Sequence, residues 1–556
     1  MKLSRIKLMW RTVRHLRPVQ VYRRVVFKLV RPRVPFPAVE AKQRAPSDIW
    51  CTVAERRQSL LGPTAVQILN TDYDIGTGGW DAPALAKLLQ YNLHYFDDLN
   101  SQTANDRRKW HHDLIADWIA KNPPARGSGW EPYPTSLRIT NWIKWTLSGG
   151  CLPLEAKLSL VVQTRWLTRR LEWHLLGNHL FVNAKALVFS GLFFKGPEAQ
   201  KWLAQGLKIL AREVPEQILP DGGQFELSPM YHALALEDML DLANIAQAFD
   251  GALTPEQKVL FSDWRARIPA MLHWLETLSH PDGRIAFFND ASFGVAPENS
   301  ALFDYAIRLK IPPTLATRAL TYLPNSGYAR LELGTGVVMA DIAPVGPDYL
   351  PAHAHADTLS FEMSLNKSRV IVNSGISVYG ISAERHRQRG TRAHSTLCLA
   401  NENSSEVWGG FRVGRRARVS SVLEERKPNA LKLTAQHDGY CHLPGRPRHR
   451  RTWCLEDRKL IVEDEIIGTG LQPCEIRFHL APEVRAEASG QGALLLSVGK
   501  GDHIAQVSFS SKGTLNIEKS TWHPEFGKAV PNQCISIRLA ENAPLSHVTT
   551  FEWSEK

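Results

Sequence analysis

The sequence contains no run approaching the ~18 consecutive apolar residues of a membrane span, which excludes an ordinary transmembrane helix. Cysteine is sparse and unpatterned. Seven are scattered along 556 residues without a C-x-x-C pair, and such a set argues against a disulfide framework. Zinc-finger spacing and the common nucleic-acid motifs are also missing. No internal repeat of fixed period is found, so a solenoid is not expected. Acidic residues are missing from the N-terminus altogether: the first is Glu40. The same stretch lacks the apolar run and small-residue cleavage site of a secretory signal.

What is present is a basic, hydrophobic-rich chain long enough for two to four domains, or for one large all-α unit with an appendage. Lys and Arg number 67 against 55 Asp and Glu, a formal net charge of +12 that favours acidic partners without choosing among nucleic acid, anionic membrane and polyanionic sugar. Seventeen Trp and twelve Tyr suit a carbohydrate protein, whose sugars stack on aromatic rings, and suit a large core equally well. Near the N-terminus, Ile6, Leu8, Met9, Trp10, Val13 and Leu16 interleave with Lys and Arg. That pattern predicts either a helix lying on a membrane surface or a basic arm packed on the rest of the protein.

Residues 1–50 are therefore set apart as a basic arm. From about 83 to 310 apolar residues recur at three- and four-residue spacing, as in ALAKLLQYNLHYFDDLN (84–100) and LSLVVQTRWLTRRLEWHLL (158–176), with Pro/Gly breaks between. Successive helical hairpins of this kind can close into a toroid, assigned to 51–322. Alternation of period two takes over afterwards. TLSFEMSL places Leu359, Phe361, Met363 and Leu365 on one face and Thr358, Ser360, Glu362 and Ser364 on the other. RKLIVEDEIIG, CEIRFHLAP and HIAQVSFSS are further strands, so 323–556 reads as an antiparallel β-sandwich.

Four segments carry candidate chemistry. In WHLLGNHLF, Asn178 and His179 follow Gly177 at a helix start; they can meet a substrate carboxylate, or Asn178 can cap the helix. In LPDGGQFELSPMYH, Ser228-Pro229 starts a helix with Tyr231 and His232 in its first turn, where the dipole would ease formation of a Tyr231 phenolate. Glu226 is a candidate carboxylate there, whereas Asp221 in its DGG turn reads as a loop stabiliser. In PAHAHADTLSF, an extended chain would project His353, His355 and Asp357 to one side. In ERHRQRGTRAHST, Arg385, Arg387, Arg389 and Arg392 form either a carboxylate- or sulfate-binding cluster or a solvated charge run.

In this order, GNHL (177–180), LPDGGQFELSPMYH (219–232), HPDGRIAFFND (280–290), HAHADTLSFEMSL (353–365), VIVNSGISVYG (370–380) and TRAHST (391–396) resemble the heparinase II/III family of polysaccharide lyases and related alginate lyases. The resemblance implies an incomplete (α/α) toroid joined to an antiparallel β-sandwich. It implies β-elimination on a uronic-acid-containing acidic polysaccharide, and a place in the periplasm or cell envelope. It implies that Asn178 and His179 sit near the substrate carboxylate, that Tyr231 is the acid or both acid and base, and that His353 transfers a proton. Glu226, His232, Arg385, Arg389 and Arg392 complete the expected substrate-binding set. It implies a structural zinc site at His355, Asn373 and His394. Asn373 stands where the family pattern has Asp, and a neutral amide is a poorer zinc ligand, although Asp357 could take its place. Two other readings compete: a glycoside hydrolase using Glu226 and Asp290, and a polysaccharide-binding or assembly protein without turnover.

Overall fold

A computed structural model describes residues 2–33, 42–312, 319–469, 472–489, 493–498, 502–509, 513–539 and 546–554. Antiparallel helices build the first large part. They include Arg108–Lys121, Pro132–Leu147, Leu154–Arg169, Gly177–Phe193, Pro197–Gln217 and Pro229–Ala248, and the last is Asn299–Arg308. Two of the expected helices are broken. Only Lys87–Leu93 is α-helical in the first, because Phe96 takes a left-handed backbone and a 3-10 turn follows over Asp97–Asn100. The second stops at Arg169, and residues 171–176 cross to the next helix. Apolar spacing continues through both breaks because the connecting residues, Leu93, Leu99, Leu171 and Leu176, are buried in the same core. That core absorbs much of the tryptophan: Trp118 and Trp142 are fully buried in it. At its centre Lys144 meets Glu237 (3.2 Å) and Asp241 (3.0 Å), and Lys185 meets Asp238 (2.7 Å) and Asp241 (2.6 Å). These pairs tie together the three helices beginning at Pro132, Gly177 and Pro229.

The second part is two packed sheets whose named strands all pair antiparallel. The nine-stranded sheet runs from Thr514–Trp522 through Val530–Leu539, Cys474–Leu480, Ser368–Val372, Phe361–Leu365, Gly336–Asp341 and Tyr328–Leu333 to Leu320–Leu323, with Leu397–Leu399 pairing off this path. The eight-stranded sheet begins at Val419–Lys427 and ends at Val484–Ala488. Since Leu320–Leu323 is its edge strand, the sandwich starts slightly before the expected boundary at 323. Of the strand expected over HIAQVSFSS, Asp502–Phe509 forms, and Ser510 and Ser511 lie outside the described residues. The hairpin Tyr328–Leu333/Gly336–Asp341 closes on Gly334-Thr335, with Gly334 at φ 58, a backbone that favours glycine in two-residue turns.

Phe361, Trp453, Phe478 and Phe551 meet between the sheets. The polar side of TLSFEMSL is not solvated. Glu362 and Ser364 are buried against the helical part, where His280 reaches Glu362 Oε2 and Ser364 Oγ, both at 2.7 Å. Period two therefore distinguishes the inter-sheet core from a polar domain junction. The N-terminal arm is helical: α1 (Lys2–Val13) packs on the sandwich, where Trp408 Nε1–H donates to Thr12 Oγ1 (3.0 Å), and α2 (Pro18–Leu29) packs on the toroid, where Arg170 donates to Phe27 O (2.9 Å).

Candidate active site

Two helices aim their first turns at the junction between the parts. Gly177–Phe193 follows Leu176 at φ 64, and Pro229–Ala248 follows Leu227 at φ 62 with Ser228 as its cap. A non-glycine residue at such a φ costs about 1–3 kcal/mol and persists where the surroundings enforce it. Gly177 itself is required: a Cβ there would lie 2.2 Å from Leu350 Cδ2. Ser228 Oγ accepts Tyr231 N–H (3.2 Å) and donates to the carbonyl of Asp290, fixing the helix start to the loop that carries Asp290.

Tyr231 stacks on His353 at 3.9 Å between ring centroids, and its hydroxyl lies 3.0 Å from that of Tyr379. His353 Nδ1 is 2.9 Å from Asp290 Oδ2 and His355 Nε2 is 2.8 Å from Asp290 Oδ1. Arg385 bonds both oxygens of the same carboxylate, the second at 2.7 Å. Burial alone would raise the Asp290 pKa, but the Arg385 guanidinium and the two imidazole hydrogen bonds outweigh it and hold it well below the usual carboxylate range. An ionised Asp290 accepts from His353 Nδ1–H, which leaves Nε2 as the free base nitrogen, 3.5 Å from Glu226 Oε2.

Burial, the neighbouring Tyr379 and the Asp290 charge push Tyr231 well above the usual phenol range. The expected phenolate is thus corrected: desolvation and the neighbouring negative charge exceed the helix dipole. His179 Nδ1 lies 3.1 Å from Glu172 Oε1, and its ring is 4.5 Å from Tyr133. Burial lowers its pKa, yet Glu172 and Glu226 win and raise it. Asn178 lies inside the first turn and not at the cap, which is Leu176, and its backbone N–H donates to Glu226 Oε1 (3.4 Å). The capping alternative is therefore removed. Asn178→Ala is expected to lower turnover by tenfold or more while moving the unfolding free energy by less than the roughly 0.5–2 kcal/mol of a lost cap. Initial rates set beside thermal unfolding check this; equal rates with a lost cap's worth of stability would contradict it.

The structure thus gathers Asn178, His179, Glu226, Tyr231 and His353 around one cleft and moves other candidates out of it. His232 is fully buried, with Nδ1 accepting Gln224 N–H (3.2 Å) and Nε2 at Met271 O (2.9 Å); burial drives its pKa to about 3. Arg385 is spent on Asp290. Arg389 is buried and donates twice to the carbonyl of Ala354 (3.1 and 2.8 Å), holding the HAH loop. Arg392 pairs with Glu475 (2.7 Å) and Asn401 (2.9 Å). His232, Arg385 and Arg389 therefore offer no free group to a polysaccharide, whereas Arg392 is exposed and its pair with Glu475 lies at the surface. Asp221 accepts from the backbone of Gly223, Asn325 and Ser326, a loop-holding role.

Asn373 Oδ1 accepts Ser395 N–H (3.0 Å) and its Nδ2 donates to Ser360 Oγ (3.4 Å). Among the described residues, His355, Asp357 and His394 form a buried group able to hold a cation, with ligand atoms within 4.8 Å of one another. His394 Nδ1 is buried without a hydrogen-bond partner, as a ligand nitrogen would be. Sequence reasoning missed Tyr379 and Glu172. Tyr379 stood inside the quoted VIVNSGISVYG but had no motif of its own, and Glu172 looked like one more position of a continuous helix.

Residues 99–301 match the heparinase II/III N-terminus model and 316–554 the heparinase II/III-like C-terminal model. The chain belongs to the heparinase II/III family. Heparin-sulfate lyase of Bacteroides stercoris is 24% identical over 369 residues, 62% of this chain and 52% of the relative. Heparin-sulfate lyase of Pedobacter heparinus is 28% identical over 333 residues, 53% and 48% respectively, so the matched stretch spans about half the length of these relatives. FtsZ-localized protein C of Caulobacter vibrioides is 26% identical over 458 residues, 76% of this chain and 74% of that one. In three dimensions the crystal structure of heparinase III superposes with a TM-score of 0.68 at 16% identity, covering 96% of this chain and 89% of the other. This heparinase II/III chain therefore has the toroid-plus-sandwich fold.

Proposed function

We propose that this heparinase II/III protein is a polysaccharide lyase that cuts a uronic-acid-containing acidic polysaccharide by β-elimination. The observation that carries it is the stack of Tyr231 on His353, with Asp290 fixing the tautomer of His353, beside Asn178 and His179. In the reaction the C5–H bond breaks and His353 Nε2 takes the proton, which the Glu226 carboxylate then faces. The electron pair forms the C4=C5 double bond, the C4–O bond breaks, and the Tyr231 phenol gives its proton to the departing oxygen. The high pKa of Tyr231 supports the acid role. Asn178 and His179, the latter biased toward its cationic form by Glu172, offset the charge that grows on the sugar carboxylate. The net charge of +12 suits a polyanion.

The test is a panel of acidic polysaccharides, heparan sulfate among them, read by the ultraviolet absorbance of the new double bond. Chain shortening without absorbance would indicate hydrolysis. That reading fares poorly because Asp290, one of its two carboxyls, is fully buried and bonded to Arg385 and both imidazoles. Binding without shortening would favour an assembly role, a reading supported by the relative named for its localisation with FtsZ.

For the metal, we propose that His355, Asp357 and His394 hold a divalent cation of structural use, joining the HAH loop to the TRAHST segment; a cation there would supply positive charge and rigidity. Asp357→Asn is expected to weaken zinc binding more than about tenfold, a loss seen even for outer-shell partners, and Asn373→Asp to change it little. Metal analysis of the purified variants decides, and a large gain in Asn373→Asp would reinstate position 373 as a ligand.

A further inference from the structure

The arm leaves most of its apolar residues in solvent. A helix on a water-soluble protein normally buries its apolar stripe. In α1, Ile6, Met9, Trp10 and Val13 recur at i, i+3, i+4 and i+7, and all four are exposed, Ile6 to 67% and Trp10 to 66%. The face turned to the sandwich carries Leu8, half-buried over Gly414, together with polar contacts: Arg11 pairs with Glu406 (3.1 Å), and Thr12 accepts from Trp408 (3.0 Å). In α2, Val21, Val25 and Leu29 line up with Tyr22 and Val26, again exposed, Leu29 to 78%. Its packed side carries Gln20, which donates to Tyr349 O (3.2 Å), and Phe27, which lies 3.5 Å beneath the Arg170 guanidinium.

Positive charge surrounds these stripes. Lys7, Arg14, Arg23, Arg24 and Lys28 are exposed, and no acidic residue precedes Glu40. Behind α1 a cavity of about 180 Å³ is lined by Arg11, Arg14, His15, Arg415, Arg416 and Arg418. Two carboxylates answer these five arginines: Glu406 at Arg11 and Asp348 at Arg416 (2.5 Å).

From this we propose that α1 and α2 form a docking face for an anionic phospholipid surface, with the apolar stripes entering the headgroup–acyl boundary and the exposed Lys7, Arg14, Arg23, Arg24 and Lys28 binding lipid phosphates. The charge and the apolar residues select this occupant together. A sulfated or carboxylated polysaccharide would use the arginines but has nothing to offer Ile6, Val25 or Leu29. A second copy of this chain would cover the apolar stripes but bring like charges face to face. Arg and Lys flanking Trp, Tyr and aliphatic side chains on a short helix is the composition an interfacial helix requires. The face also adjoins the cleft. Arg17, in the turn between the helices, stacks 3.7 Å over Tyr349, next to the Leu350 that abuts Gly177.

The experiment is co-sedimentation of the full chain with phosphatidylcholine vesicles, with or without phosphatidylglycerol. The wild type is expected to sediment only with the phosphatidylglycerol vesicles, less so as salt is raised. Ile6→Ser/Trp10→Ser and Arg23→Glu/Arg24→Glu are each expected to reduce the bound fraction at least about tenfold. All of these residues are exposed, so thermal unfolding should be unchanged. Failure of the wild type to sediment with phosphatidylglycerol vesicles would overturn the proposal. So would full binding by Ile6→Ser/Trp10→Ser, which would mark a purely electrostatic site of the polysaccharide type. A wild-type dimer made monomeric by that variant would reassign the face to self-association. The readout involves no turnover, so it is independent of the lyase reading.

Discussion

Tyr231→Phe is expected to abolish elimination while the protein stays folded and still binds its polysaccharide. The substitution removes one oxygen. The ring that stacks on His353 at 3.9 Å and the backbone N–H that Ser228 caps are both retained. What disappears is the proton for the leaving oxygen and the hydroxyl contact with Tyr379. A general acid contributes roughly 10²–10⁴-fold, so turnover should fall by at least about 10²-fold where leaving-group protonation limits the rate. Ultraviolet-detected rates beside a binding isotherm on the same variant check both halves of the statement. Turnover within tenfold of wild type would remove Tyr231 from the mechanism.

Asp290→Asn carries the second large effect, and it reaches both stability and turnover. Arg385 is fully buried and its guanidinium is matched by this carboxylate. Taking away one partner of a buried pair leaves an uncompensated charge, at a cost of about 3–5 kcal/mol. The loss also frees His353 and His355 to take other tautomers, so activity should fall even at temperatures where the variant remains folded. The same group predicts acid sensitivity. Its folded pKa lies below that of the unfolded chain, so its stabilisation is present in full above the unfolded value, near about 4, and drains away as pH falls from there toward the folded value. Denaturant titrations at several pH values should show this acid limb in the wild type and a reduced one in Asp290→Asn. Equal stability of the two proteins at neutral pH would show that the Arg385–Asp290 pair contributes nothing.

Much of the fold is legible in the chain because its two periodicities are strong. Two-residue spacing takes over near Leu323, at the end of the sandwich's first strand, Leu320–Leu323. The breaks at Phe96 and after Arg169 are not legible, because apolar spacing records which residues face the core and not whether the backbone turns between them. For the site, the local part is readable: Ser228-Pro229 marks a helix start, and the turn that follows presents Tyr231. The long-range part is not. Arg385, Arg387, Arg389 and Arg392 look alike in sequence, yet Arg385 finds a carboxylate 95 residues away and Arg392 finds Glu475. Only the fold decides which arginine is buried with a partner and which stays at the surface. Asp290 shows the converse error, since a lone acid after FFN gives no hint that three cationic or imidazole groups converge on it.

That convergence has a consequence for how such proteins can be recombined. Asp290 belongs to the helical half, and the groups it orients, His353, His355 and Arg385, belong to the sandwich half. Each half carries its own core and looks like an interchangeable module. A chimera that joins one relative's toroid to another's sandwich would inherit both cores intact and still be inert, unless the carboxylate on one side met a matching guanidinium and imidazole pair on the other. The junction thus acts as a compatibility lock, which the His280 contacts with Glu362 and Ser364 extend beyond Asp290.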